Sequence, residues 1–310
     1  MPTPLLLRIK FACFVVFLLQ NPFESIGQQL MFEEQADGWM LLEDGQPRYF
    51  YQTAMKSKDG MYPRANYIHP LYNTDGEVIT EDFPADHPHH RGIFWTWHQL
   101  WVNKQRAADP WICENIVWEV KKVKTAVNPN GSASLEATII WKGTGAIKKN
   151  LIEEKLSVTY QRVSSSAYKL AFDIELKPLM KGIRLGGSED PKGYGGFSPR
   201  IRLGDTPGFY DEDGKVMPQE LPIAAGPWIN LTAAGPNDPG TVIMGEPDEL
   251  PAYQGWILRA KNSMQNLAFP GKEPILLDAK NPLRFRNQLL VHRGIGRQEI
   301  IDQYRIFRNQ

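Results

Sequence analysis

Leu156-Ser157-Val158-Thr159-Tyr160 and, a little further on, Leu170-Ala171-Phe172-Asp173-Ile174 are the stretches that decide the fold class. In both, apolar side chains alternate with polar or small ones at a period of two, which places one face on a core and leaves the other in water. Ser164-Ser165-Ser166 lies between them, and a short turn there predicts an antiparallel pair over residues 151–163 and 168–176. The pattern continues outward. Residues 39–42 and 48–53 flank Glu43-Asp44-Gly45, where Asp and Gly tolerate the left-handed backbone that a tight hairpin needs. Residues 115–125 and 132–142 flank Asn128-Pro129-Asn130-Gly131. Further strands are expected at residues 241–244, 255–259, 275–277 and 283–291, with a short helix or a last strand over 298–307.

The composition agrees with this reading. The chain has 310 residues, of which 42% are apolar and 23% charged, with 26 Gly and 24 Pro to make turns. No internal repeat, charge block or Ser/Gly linker divides it, so the expectation is an all-β protein built as one large antiparallel β-sandwich of the supersandwich kind, a single domain over residues 28–310. Lys and Arg together number 35, as do Asp and Glu. A neutral chain lacks the basic surplus that phosphate neutralisation demands, so a nucleic-acid partner is not expected. Residues 1–27 read as an export signal. Arg8 and Lys10 precede the apolar run Phe11 to Leu19, and Ser25-Ile26-Gly27 supplies small residues for cleavage. Losing Arg8, Lys10 and Glu24 leaves 33 basic and 34 acidic residues. The expected location is periplasmic or secreted, with no membrane anchor once the signal is removed. Cys113 is then the sole cysteine, and its apolar flanks mark it as a small buried side chain.

One stretch has no clean period. Residues 67–101 read YIHPLYNTDGEVITEDFPADHPHHRGIFWTWHQLW and hold five of the six histidines: His69, His87, His89, His90 and His98. A long irregular segment in a compact domain points to function. Within it, Asp86-His87-Pro88-His89-His90-Arg91 packs acid, base and anion-binding groups into six positions. One reading is acid/base chemistry, with a His moving a proton and Arg91 holding a carboxylate by two-point contact. Another is a metal held by His87 and His89, alternate residues of an extended segment, with His69 or His292 as a third ligand. The bland reading makes the histidines structural. Trp95, Trp97, His98 and Trp101 follow, and indole faces beside polar groups suit sugar rings; strand residues with alternate Trp in the core explain at least one of them equally well. Gly193-Tyr194-Gly195-Gly196 lacks phosphate-loop spacing and reads as close backbone approach to a ligand, with Arg200 emerging beyond it. His292-Arg293 closes a late strand.

Asp86-His87-Pro88-His89-His90-Arg91-Gly92, Gly195-Gly196-Phe197 with Arg200, Gly226-Pro227-Trp228-Ile229 and Leu290-Val291-His292-Arg293-Gly294 together resemble a bacterial family of exported proteins labelled methane oxygenase, PmoA-like. The label conflicts with the sequence, because a membrane monooxygenase subunit needs several spans of about twenty apolar residues and none follows the signal. The resemblance implies a large β-sandwich and an association with polysaccharide degradation, including uronate-rich material. It places His87, His89, His90, Arg91, Arg200 and His292 in the matching motifs.

The expected function is therefore a secreted carbohydrate-active enzyme, a lyase or dehydratase that performs β-elimination on uronic-acid oligosaccharides. His87, His89, His90 and His292 are the candidates for proton transfer. Arg91 and Arg200 are candidates for the carboxylate, and Trp95, Trp97, His98 and His69 for the sugar. No metal or other cofactor is assigned. The alternatives are a sugar mutarotase or epimerase and a non-catalytic carbohydrate-binding protein.

Overall fold

A computed structural model describes residues 29–261 and 263–310; the expected signal at 1–27 lies outside the described residues. The strands predicted from alternation are present and antiparallel. An eight-stranded sheet runs, in spatial order, through Ile116–Val127, Ser132–Gly143, Asn150–Ser164, Ala167–Pro178, Leu283–His292, Gly240–Gly245, Trp228–Thr232 and Gly208–Tyr210. Leu156 pairs with Ile174 and Val158 with Phe172, so the apolar sets of the two deciding stretches share one face. A six-stranded sheet runs through Leu30–Gln35, Gly38–Glu43, Gln46–Gln52, Tyr67–Leu71, Ile93–Trp97 and Gly195–Pro199. Its second hairpin turns at Asp44 and Gly45, both with positive φ (51° and 75°), as the Asp-Gly pair foretells.

The two sheets pack face to face through a single apolar cluster that draws on both. Aromatic rings span the layers. Trp95 meets Phe172 edge-on at 6.1 Å, Phe197 meets Phe172 at 5.0 Å, and Trp97 lies 6.3 Å from Trp141. Two buried carboxylates also join the layers. Glu43 of the six-stranded sheet accepts from Tyr160 at 2.6 Å and from Arg162 on the eight-stranded sheet. Glu154 of the eight-stranded sheet accepts from Trp95 across the interface. Each carboxyl is buried with its donors in place, the condition under which a buried polar group is tolerated.

A smaller four-stranded sheet, ordered Ile275–Leu276, Ile183–Gly186, Gln99–Val102 and Gln105–Ala108, stands beside the sandwich. The chain ends in the helix Arg297–Arg308, which settles the helix-or-strand choice; Ile300 and Phe307 pack it onto Ala167, Val242 and Leu290. No helix among the described residues is long and apolar enough to cross a membrane. Cys113 is buried and free.

The segment from Tyr67 to Trp101 is less irregular than its sequence suggests. Strands occupy Tyr67–Leu71, Ile93–Trp97 and Gln99–Val102, and the irregular part is 72–92. Ile93–Trp97 has five buried residues out of five. A strand covered on both faces shows no alternation, which is why its period is unreadable.

Candidate active site

Two tight turns build the histidine cluster. The His87 amide donates to the Pro84 carbonyl at 3.2 Å, and the His90 amide to the His87 carbonyl at 2.9 Å. The segment is folded, not extended, and the turns gather three rings: His87 and His90 stack with centroids 4.7 Å apart, and His89 meets them edge-on at 5.8 and 4.7 Å. Gly92 then lets the chain pass close to the neighbouring strand, since a Cβ there would lie 2.1 Å from the Ile68 carbonyl oxygen.

Arg200 fixes this turn from behind. Its guanidinium is 1% exposed; it donates to Glu81 at 2.7 Å and Asp86 at 2.8 Å, and faces His90 Nδ1 at 3.3 Å. Asp86 also contacts His87 Nδ1 at 2.8 Å. Burial opposes the Asp86 charge, but hydrogen bonds from His87 and Arg200 outweigh it and hold the carboxyl down at about 2. Asp86 is therefore a carboxylate that can only accept, so the shared proton sits on His87 Nδ1. That leaves the Nε2 lone pair of His87 free, on a side chain that is 47% exposed. The same logic places the proton of neutral His90 on Nε2, because Nδ1 accepts from Arg200. Burial pushes His90 down to about 2, with His89 and His87 adding to it, and pushes His89 down to about 4.

His87 and Asp86 open onto a cleft of about 580 Å³ whose other walls carry Lys192, Arg259 and Lys261. The loop before Tyr194 is organised by Asp190, which accepts from Ser188 Oγ at 2.6 Å and the Lys192 amide at 3.0 Å. Gln265, fully buried, brackets Arg259 by accepting from its amide and donating to its carbonyl. The Arg259 guanidinium donates to the carbonyls of Gln219, Leu258 and Glu220 and, at 2.6 Å, to the Tyr194 hydroxyl. Among the described residues no carboxylate lies within ion-pair distance of Lys192, Arg259 or Lys261, although the charge of Lys192 helps hold Asp190 ionised. Tyr194 accepts from Arg259 and so keeps its own proton to give elsewhere. Its ring lies 5.6 Å from Trp111, and Trp111 in turn carries His98 stacked at 5.1 Å and His90 edge-on at 5.9 Å.

Several expectations are corrected by these placements. Arg91 is fully buried and spends its guanidinium on the carbonyls of Pro88, His90 and Tyr62, on Asp82 and on the face of Phe83, so it has nothing left for a substrate carboxylate. Arg200 is spent likewise and acts through Asp86. Trp95 and Trp97 are core residues: Trp95 donates to Glu154 and stacks on Phe197, and Trp97 donates to the Phe269 carbonyl at 2.8 Å. Gly195 and Gly196 leave room for the rings of Trp97 and Phe269, not for a ligand. His292 lines a different cleft, beside Arg202 and Thr232. Both of its nitrogens are engaged, Nδ1 by the Gly294 amide at 3.1 Å and Nε2 by Asn230 at 3.0 Å. His69 contacts Thr80 Oγ1 at 2.9 Å, and burial holds it down at about 4. His98 is held by Asp109 at 3.1 Å.

Among the described residues no group of three or more His, Cys, Asp or Glu side chains is arranged to hold a metal ion. The expected ligand pair, His87 and His89, meets edge-on at 5.8 Å, and neither His69 nor His292, each engaged elsewhere, joins it.

Lys192, Tyr194, Arg259, Lys261 and Trp111 escaped the sequence reading as site residues. They come from separate segments without a shared motif; Tyr194, inside the glycine cluster already singled out, carried the one usable signal. No curated protein matches the chain. Residues 39–305 match a family of unknown function, DUF6807, and the chain belongs to that family.

Proposed function

We propose that the protein is an exported, periplasmic or secreted carbon-oxygen lyase that performs β-elimination on uronic-acid oligosaccharides during polysaccharide degradation. The observation that carries this reading is the Asp86-His87 pair opening onto the same cleft as Lys192 and Lys261, which have no carboxylate within ion-pair distance among the described residues, with Arg259 beside them. A proton on the carbon next to a carboxylate becomes removable when positive charge stabilises the enolate-like transition state. Lys192 and Lys261 supply that charge, and Arg259, its Nη donors held by carbonyls and Tyr194, adds to the positive field. His87 Nε2 takes the proton, while Asp86 holds the ring and stabilises the imidazolium that forms. The electron pair of the broken C–H bond makes the new C=C bond as the C–O bond at the next carbon breaks. The departing oxygen leaves with its pair and receives a proton from Tyr194, since His89, held down at about 4 by burial, is neutral and has no acidic proton to give. When that oxygen is glycosidic the chain is cleaved; when it is a hydroxyl, water is lost.

Incubation with a panel of uronate oligosaccharides, followed by ultraviolet absorbance and mass, tests this. An unsaturated uronate is expected, and His87→Ala is expected to slow its formation by about 10²–10⁴-fold, the usual worth of a positioned base. A change of optical rotation without a new chromophore would replace elimination by mutarotation or epimerisation, and binding without any product would leave a carbohydrate-binding protein.

A further inference from the structure

The small four-stranded sheet carries a second feature that the reaction does not use. Trp101 is half-buried on the strand Gln99–Val102, with Arg184 as its cross-strand neighbour on one side and Arg106 on the other. Directly opposed residues of an antiparallel pair share a face of the sheet, so Trp101 lies on the same face as two arginines. Its edge is fixed: Trp101 Nε1 donates to Gln99 Oε1 at 3.0 Å, and Gln99 Nε2 donates to the carbonyls of Gly187 and Lys272, both at 2.8 Å. A ring held this way loses little freedom on binding a ligand.

Around it lies a cleft of about 440 Å³ whose wall includes Lys104, Arg184 and Lys272. None of these three has an ion-pair partner among the described residues. Glu273 stands against them; Glu189 is already turned to Arg106 at 2.9 Å. The local charge is positive around a rigid indole in a chain whose total charge is zero. Such a site is built for a ring with an apolar face and an anionic substituent.

The cleft is tied to the histidine site. Arg106 reaches the His98 carbonyl at 3.0 Å and Asp109 at 3.2 Å, the residue that holds His98. One loop, Gly187 to Tyr194, gives Glu189 to the Trp101 cleft and Lys192 to the His87 cleft.

We infer that the Trp101 cleft is a second anionic-sugar subsite, so that the ligand is an acidic oligosaccharide bridging it to the His87 cleft. This rests on the elimination reading for the use of the sugar, not for its binding. Calorimetric titration of the full chain with oligogalacturonates, oligoguluronates and glucuronate-containing oligosaccharides from dimer to hexamer tests it, with cello-oligosaccharides as the neutral comparison. Affinity is expected to rise with length for an acidic series. Trp101→Ala and, separately, the exposed Arg184→Ala are expected to weaken hexamer binding about tenfold or more, as anchor residues of a binding site do, while leaving the dimer unchanged. Unchanged hexamer affinity in both variants, equal affinity for the neutral hexamer, or no acidic oligosaccharide bound would overturn the inference. Trp101-dependent binding without any ultraviolet-absorbing product would keep the subsite and sink elimination; product formed equally from all lengths by Trp101→Ala would do the reverse.

Discussion

Replacing Glu154 by Gln removes a charge from the centre of the sandwich while keeping its volume, and the consequence has a definite dependence on pH. Oε1 accepts from Trp95 at 2.8 Å and Asn66 at 2.9 Å; Oε2 accepts from Trp141 at 2.6 Å and Asn66 at 2.9 Å. Burial outweighs these donors and pushes the carboxyl up from 4.5 to about 7. Between those values the native protein keeps a proton that the unfolded chain has released. Stability from this group is therefore full below pH 4.5 and is lost as pH rises through 7. A shift of that size corresponds to roughly 3 kcal/mol.

The histidines act in the opposite sense over nearly the same range. Burial holds His69, His89 and His292 down at about 4, so the unfolded chain binds more protons and their contribution grows as pH rises from 4 to 6.5. The wild-type profile mixes both slopes, and only the difference between wild type and Glu154→Gln isolates the carboxyl. The Gln amide must turn its nitrogen toward one indole N–H, and an orphaned buried donor costs about 1–3 kcal/mol at every pH. The variant is expected to start less stable at pH 4.5 and to gain about 3 kcal/mol on wild type by pH 8. Urea unfolding followed by far-ultraviolet circular dichroism, in half-unit steps of pH with slopes compared, reads the gap. A gap that stays constant, or widens as pH rises, would refute the reasoning.

Asp86→Asn gives His87 a partner that can donate, which allows the proton to move to Nε2; kcat on an acidic oligosaccharide should fall about 10²–10⁴-fold with KM little changed, as steady-state kinetics will show. His292→Ala orphans the Gly294 amide and Asn230, so thermal unfolding should register a loss of about 1–3 kcal/mol while turnover stays at the wild-type level; a collapse of kcat would return His292 to the chemistry. Lys192→Ala combined with Lys261→Ala should raise KM for acidic substrates and flatten its dependence on salt, because exposed charges act over about a Debye length. An unchanged salt response would remove the two lysines from carboxylate binding.

The fold was legible wherever strands are covered on one face only. Leu156 to Tyr160 and Leu170 to Ile174 alternate because their other side meets water, and Asp44-Gly45 and Asn128 to Gly131 mark turns by backbone chemistry alone. The strand Ile93–Trp97 was not legible, since burial on both faces erases the period, and Trp95 and Trp97 then looked like a binding face. Their real partners, Glu154 and Phe269, are distant in sequence. Within the site, the Asp86-His87 contact joins chain neighbours and could be anticipated, whereas Lys192, Arg259 and Lys261 meet it only after folding.

The two misread arginines show why adjacency to histidine is a weak guide to a cation's role. A guanidinium has five donors, and what matters is how many remain unspent. Arg200 serves Glu81, Asp86 and His90 at once, and its contact with Asp86 is what holds that carboxylate behind His87. A substrate carboxylate that took Arg200 would have to displace Asp86, and His87 would lose the partner that fixes its proton on Nδ1. Binding the substrate there would disarm the base. On the proposed reaction, the cation that receives the substrate and the cation that positions the base must therefore be different residues; among the described residues lining the cleft, Lys192 and Lys261 have donors to spare, whereas Arg259 has committed its Nη donors to three carbonyls and Tyr194.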